Sequence, residues 1–184
     1  MKYYEPRTFT IPELKGISLK NIEEHLKLYQ GYVKHTNIII DRIAEYSINV
    51  EKYGYELGEL QRRFSFEYNG MKNHEYYFEQ LEGGPAPLST NSPITEFVSR
   101  LETIAMTRGI GWAVLYYDQG AQQLVTAWID EQHIGQLNSA QFIFGIDMWE
   151  HAYVSDYQPS GKKQYIADYL ANVNWSTVEK RLVK

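Results

Sequence analysis

The chain has 184 residues, 43% of them hydrophobic, and a formal net charge of −5 at pH 7 with no cysteine. That size and apolar content allow a real core in one domain or two small layers. The absent thiols exclude disulfides, zinc–thiolate sites, iron–sulfur clusters and cysteine catalysis, the acidic balance argues against a broad nucleic-acid footprint, and no apolar run approaches the ~20 residues of a membrane span.

From Ser18 to about Asn49 the apolar residues Ile22, Leu26, Tyr29, Val33, Ile40, Ile43 and Tyr46 recur mostly at threes and fours, which predicts a long amphipathic helix capped by Ser18. A second helical segment is predicted from Glu51 to about Phe66 and a third from Asn73 to Leu81. The cluster Gly83-Gly84-Pro85-Ala86-Pro87 stops them and divides the chain into a helical hairpin, 1–87, and a second layer, 88–184, with any shared site between the two.

Ser92-Pro93 opens a further helix through Arg108, ended by Gly109. The period then changes. Gly111 to Tyr117 and Leu124 to Ile129 are aromatic and branched runs about a short polar loop, a β-hairpin pattern, and a third strand is expected at Gln141 to Gly145. Helices at Gln164 to Ala171 and Thr177 to Leu182 close the chain. The expected class is α+β: a long N-terminal helical hairpin, then a C-terminal layer with a small three-stranded antiparallel sheet surrounded by helices.

The third strand leads into Asp147-Met148-Trp149-Glu150-His151-Ala152-Tyr153, which sets a carboxylate and an imidazole four residues apart on one face of a helix or helical turn. That pair suits a borderline to hard ion such as Fe or Mn. Asp and His at this spacing also describe an exposed helix pair, and His74, within Asn73-His74-Glu75-Tyr76-Tyr77-Phe78, taken alone reads as a core histidine.

The full string DMWEHAY resembles the signature of the iron/manganese superoxide dismutase family, which implies that Asp147 and His151 bind the metal. The same resemblance makes His74 a ligand, since it follows Asn73 and precedes aromatics on a second helix. The remaining family ligand is a His near the start of the first helix. Counted back from Tyr32-Val33 its place falls on Glu24, with His25 one residue later, and the two positions lie within ~80° of one face, so geometry leaves both open. Ligand chemistry favours His25, because three imidazoles and one carboxylate leave the ion moderately positive; Glu24 is the alternative. Gly109-Ile110-Gly111-Trp112-Ala113 and Val173-Asn174-Trp175 resemble two further family motifs, so the resemblance covers nearly the whole chain.

The family implies further roles. Trp112, Trp149 and Tyr32 would surround the ion, with Tyr32 at the substrate funnel. Gln132, with His133 as the alternative, would hydrogen-bond solvent beside the metal and share proton delivery with Tyr32. Glu150 would reach a metal-binding His of a neighbouring subunit, so a homodimer or tetramer is expected. Lys162 and Lys163 are candidates for steering the superoxide anion. One Fe or Mn ion per subunit would cycle between +3 and +2 and convert superoxide to O2 and H2O2. Leu28 and Tyr29 stand where a funnel His is common, Val114 where a second Trp is usual, and Val154 where many members carry a Tyr. The competing expectation is a metal-free structural or interaction homologue. No nucleic-acid or membrane partner is expected, and the opening Lys2-Tyr3-Tyr4-Glu5-Pro6, without the order of a secretory signal, points to the cytoplasm.

Overall fold

The Ser18 hydroxyl accepts a hydrogen bond from the Asn21 N–H at 3.1 Å, and from this cap α1 runs unbroken over Leu19–Tyr46 in the computed structural model, which describes residues 2–183. Met1 and Lys184, the outer limits of the two expected layers, lie outside the described residues. A 3-10 turn at Ser47–Asn49 and a Tyr46–Tyr53 stack with centroids 4.6 Å apart reverse the chain into α2, Gly54–Glu79.

α2 is one helix where the sequence suggests two. The gap expected between Phe66 and Asn73 does not open, and Gly70 within it is where the two helices press together: a Cβ there would sit 2.5 Å from the Tyr32 ring. Close interhelical packing holds a residue that intrinsic propensity disfavours.

After α2 the chain turns through Gly83 and Gly84, both left-handed (φ +74° and +83°), a conformation glycine adopts at little cost. The Gly/Pro segment is then strapped to Val173-Asn174-Trp175. The Ala86 N–H donates to the Val173 carbonyl, the Trp175 N–H to the Ala86 carbonyl, and the Asn174 N–H to the Gln80 carbonyl at 2.7 Å.

α3 (Thr95–Ala105) is shorter than its pattern suggested, since Ser92 and Pro93 form the turn ahead of it. The strands β1 (Gly111–Asp118), β2 (Gln123–Asp130) and β3 (Gln141–Asp147) form one antiparallel sheet in the order β2-β1-β3. β1 is central and buried from Gly111 to Tyr116, which accounts for its continuous apolar run. Helices α4 (Val154–Tyr157), α5 (Lys162–Asn172) and α6 (Trp175–Glu179) and a final 3-10 turn (Lys180–Val183) complete the layer. The α+β architecture of a long helical pair followed by a small sheet with helices is the expected one.

The hairpin and the sheet are joined by hydrogen bonds as well as by packing. The Gln80 amide pairs with the Gly145 peptide in both directions (Nε2 to O 3.0 Å, N to Oε1 3.1 Å). Arg181, itself buried, donates to Gln80 Oε1, the Ile143 carbonyl and Glu79 Oε2 at 3.0, 2.7 and 2.8 Å. Among the described residues no helix is long and apolar enough to cross a membrane.

Candidate metal centre

Four side chains from four segments converge between the layers. His25 projects from the second turn of α1, His74 from the last third of α2, Asp147 ends β3, and His151 sits in the 3-10 turn Glu150–Ala152. One donor atom from each lies within 4.8 Å of all the others. The i, i+4 spacing of Asp147 and His151 is therefore not a helix face. Met148 and Trp149 leave the strand, the backbone at Trp149 is still extended (ψ 146°), and the short turn swings His151 back over Asp147.

Asp147 is the hub. Its Oδ2 faces Nε2 of His151, His25 and His74 at 3.1, 3.2 and 3.5 Å. Its Oδ1 accepts from the Trp149 N–H at 2.8 Å, and its carbonyl accepts from the Tyr165 hydroxyl at 3.0 Å, so both ends of the residue are fixed. Burial disfavours its charge, but the imidazoles of His151 and His25 outweigh that and hold the carboxyl well below the usual carboxylate range.

The buried imidazoles are pushed the other way. Burial, opposed by the nearby Asp147, lowers His25, and burial together with the neighbouring His25 lowers His74 to about 3, so both rings are neutral at pH 7. His74 Nδ1 donates to the Gly70 carbonyl at 2.6 Å, which fixes the tautomer that leaves Nε2 with a lone pair. His74 Nε2 and both ring nitrogens of His25 are buried without a hydrogen-bond partner. Orphaned buried polar atoms are costly, and one cation beside Asp147 would satisfy Nε2 of both His25 and His74.

The donor set fits such an ion. Imidazole and carboxylate bind first-row metals at about 2.1 Å, which places neighbouring donors about 3.0–3.4 Å apart around the ion. The three N···O separations fall close to that range. Three neutral nitrogens and one anionic oxygen, with no sulfur, suit Fe or Mn.

The ambiguity over the first helix is resolved by orientation. His25 is 1% exposed and faces Asp147, whereas the Glu24 side chain is 63% exposed and pairs with Lys27. Tyr77 and Phe78 pack on the His25 ring at 4.8 and 5.0 Å and Trp112 packs on His74 at 5.2 Å, giving the centre a wall of aromatic rings.

Gln132 is fully buried and bridges two of the aromatics. Its Oε1 accepts from Trp112 Nε1 at 2.9 Å, and its Nε2 donates to the Tyr32 hydroxyl at 3.0 Å. Its carbonyl is held by Asn73 Nδ2 (3.0 Å) and Gln136 Nε2 (3.3 Å). His133 instead packs edge-on against Phe66. Tyr32 lies over His74, centroids 5.0 Å apart, and burial, followed by the charges of Asp147 and Glu67, raises its phenol so that it stays protonated. Trp149 stacks beside His151 at 5.7 Å and donates Nε1 to the Glu131 carbonyl.

The other sequence candidates lie further out. Glu150 is exposed next to His151, whose side chain remains 25% exposed. Lys162 donates to the Thr107 carbonyl and lies over Trp128, and Lys163 lines a depression with Glu102 and Thr103. Tyr29 is a core residue whose hydroxyl donates to Glu75 and accepts from the Arg7 N–H. Sequence reasoning missed the anchors behind the site: Asn73, Gln136, Tyr165 and the Gly70 carbonyl. Only Asn73, adjacent to His74, had a local signal.

A family model described as iron/manganese superoxide dismutases, C-terminal domain, matches residues 90–181. The chain is 30% identical to an iron superoxide dismutase of Aquifex pyrophilus, over 98% of this chain and 91% of that protein. It is 30% identical to a manganese superoxide dismutase of Buchnera aphidicola, over 87% of each chain. A Mn/Fe superoxide dismutase of Aeropyrum pernix is 27% identical over 86% of this chain and 78% of its own length.

Proposed function

Because the chain belongs to the iron/manganese superoxide dismutase family, we propose that it disproportionates superoxide to O2 and H2O2 on one iron or manganese ion held by His25, His74, Asp147 and His151. The observation that carries the reading is the convergence of one buried carboxylate and three imidazoles within 4.8 Å. Held by these four residues, the ion would supply the one-electron redox chemistry that both halves of the disproportionation need.

The chain's own residues hold the donors, limit water and move protons. Two protons are consumed per turnover, since two superoxide anions become O2 and H2O2. Tyr32 is suited to pass them: its hydroxyl accepts from Gln132, leaving its own hydrogen to be given, and its raised pKa keeps that hydrogen in place at neutral pH. Trp112 fixes the Gln132 amide, so the donor direction toward Tyr32 is set before substrate arrives. The aromatic wall keeps the donors in a water-poor setting where each electrostatic contact is strengthened.

Further features of the reading extend to assembly and place. The layers 1–87 and 88–184 act as two jaws on the ion. Exposed Glu150 beside the partly open His151 suits an isologous homodimer in which each carboxylate orients the other copy's imidazole. A chain without cysteine needs no oxidising compartment, which is compatible with a cytoplasmic enzyme.

The test is reconstitution. Protein stripped of metal and reloaded with iron or manganese is expected to bind about one ion per chain and to remove superoxide in at least one form. A stoichiometrically loaded protein inert in both forms would refute the assignment.

A further inference from the structure

A cleft of about 570 Å³ opens between α1 and α2 and ends on Tyr32. Lys27, Leu28, His35, Arg63, Phe66 and Glu67 line it. Tyr32 belongs both to this cleft and, through Gln132, to the metal centre, so a small molecule in the cleft lies one side chain from the centre.

The charges around the cleft are not equivalent. Glu67 has only 7% of its side chain exposed and sits deep, one helical turn before Met71 on α2. Unopposed, it would repel an anion. Arg63 covers it with two donors, Nε at 2.8 Å and Nη2 at 2.6 Å, and remains 52% exposed. The guanidinium lies 4.0 Å over the Phe66 ring, which is 6.0 Å from Tyr32 and 6.4 Å from Trp149. An anion arriving from solvent therefore meets the cation of the pair first.

The other charges at the rim differ. Lys27 is paired with Glu24, and both side chains are about two-thirds exposed, so water and salt screen them. His35 is exposed. Lys162 and Lys163 stand against α3. Burial and Asp147 dominate the Tyr32 phenol, yet Glu67 also raises it and Arg63 lowers it, so both partners are felt at the floor of the cleft.

We propose that the Arg63–Glu67 ion pair sets the sign of the potential above Tyr32, which makes Arg63 the residue that steers an anionic substrate toward the centre. That the anion is superoxide rests on the function proposed above. In a chain of net charge −5 a local cation is needed to offset the overall repulsion.

Trp149, partly exposed beside Phe66, is a native reporter once Trp128, the other partly exposed tryptophan, is removed by Trp128→Phe. In that background at pH 8 and low salt, quenching by iodide relative to neutral acrylamide is expected to fall about two- to threefold in Arg63→Gln and to rise by a similar factor in Glu67→Gln. Arg63→Lys should stay near the parent ratio, because it keeps the outward cation, whereas the Arg63→Gln/Glu67→Gln double variant should fall between Arg63→Gln and the parent, because it loses the outward cation together with the buried anion. Equal ratios in all five proteins would overturn the assignment. Superoxide removal by the metal-loaded variants should follow the same order and flatten at high salt. The iodide order without superoxide removal in any protein would refute the function and leave anion steering intact; superoxide removal with flat iodide ratios would do the reverse.

Discussion

The helical hairpin and the sheet layer each contribute two donors to one centre, and they do so by opposite means. His25 and His74 stand on the inner faces of long helices, where position follows from the 3.6-residue repeat and the backbone is rigid. Asp147 and His151 stand on a strand end and a single 3-10 turn, where no repeat fixes them, and their geometry depends on hydrogen bonds from Trp149 and Tyr165. The helical donors are thus placed by the fold and the other two by local contacts. Substitutions should therefore act differently in the two regions.

The largest effect is expected at the hub. Asp147→Asn removes the only charge in the donor set while keeping its shape, and metal content should fall to about a tenth or less, since even residues behind a metal ligand change affinity 10–100-fold. On the helical side His25→Ala should lose metal to a similar degree, whereas Glu24→Ala, a solvent-facing change, should retain it. Metal analysis of the three purified variants checks both statements, and loss of metal in Glu24→Ala with retention in His25→Ala would move the helical donor by one residue.

Next in size is a test of how tightly the hairpin is closed. Gly70→Ala gains helix propensity but drives a Cβ to 2.5 Å from the Tyr32 ring. Overpacking of that kind costs about 1–3 kcal/mol and outweighs the propensity gain of about 1 kcal/mol. Chemical denaturation should show net destabilisation, and the displaced Tyr32 should lose its bond to Gln132.

The pH response separates the ion from its pocket. In the metal-free protein His74 is lowered to about 3 and His25 is also lowered, so the folded chain binds fewer protons than the unfolded chain between about pH 6.5 and 3. Stability then falls as pH drops through this window, by about 1.4 kcal/mol per pH unit for His74, with His25 acting in the same direction. Asp147, also lowered, adds to the same trend at the acid end. Bound metal should delay the loss, because the ion excludes the competing protons. Denaturation midpoints of apo and loaded protein from pH 7 to 4 measure the difference; an apo midpoint that does not change over this range would contradict the proposed pocket.

The smallest effect contrasts the open end of the same helix. Gly58 is exposed, with nothing within 4 Å of a Cβ, so Gly58→Ala should stabilise by about 0.5–1 kcal/mol and leave the metal site unchanged. The same substitution twelve residues apart on α2 thus has opposite sign, and thermal denaturation of the two variants makes the contrast direct.

The same division governs how much could be read from the sequence. The period-three-and-four pattern of α1, its Ser18 cap and the β1–β2 hairpin follow from local chemistry and are legible, whereas the pairing of β3 with β1 joins distant segments. The sequence pattern divides α2 between Phe66 and Asn73, whereas the helix runs through Gly70, where the Tyr32 ring of the other helix packs close to the backbone. Residues alone left Glu24 and His25 open, since adjacent positions on a helix share a broad face; burial separates them. The resemblance to known dismutases supplied the ligand types, but not the turn that brings His151 over Asp147 or the Asn73, Gln136 and Tyr165 anchors, which are fixed by contacts across the chain.

Anomalous diffraction at the iron edge from iron-loaded crystals tests the four-donor centre most directly. The account predicts one strong peak between the layers, within about 2.3 Å of Nε2 of His25, His74 and His151 and of a carboxylate oxygen of Asp147. A peak seated elsewhere, or one that leaves any of these four side chains uncoordinated, would contradict it.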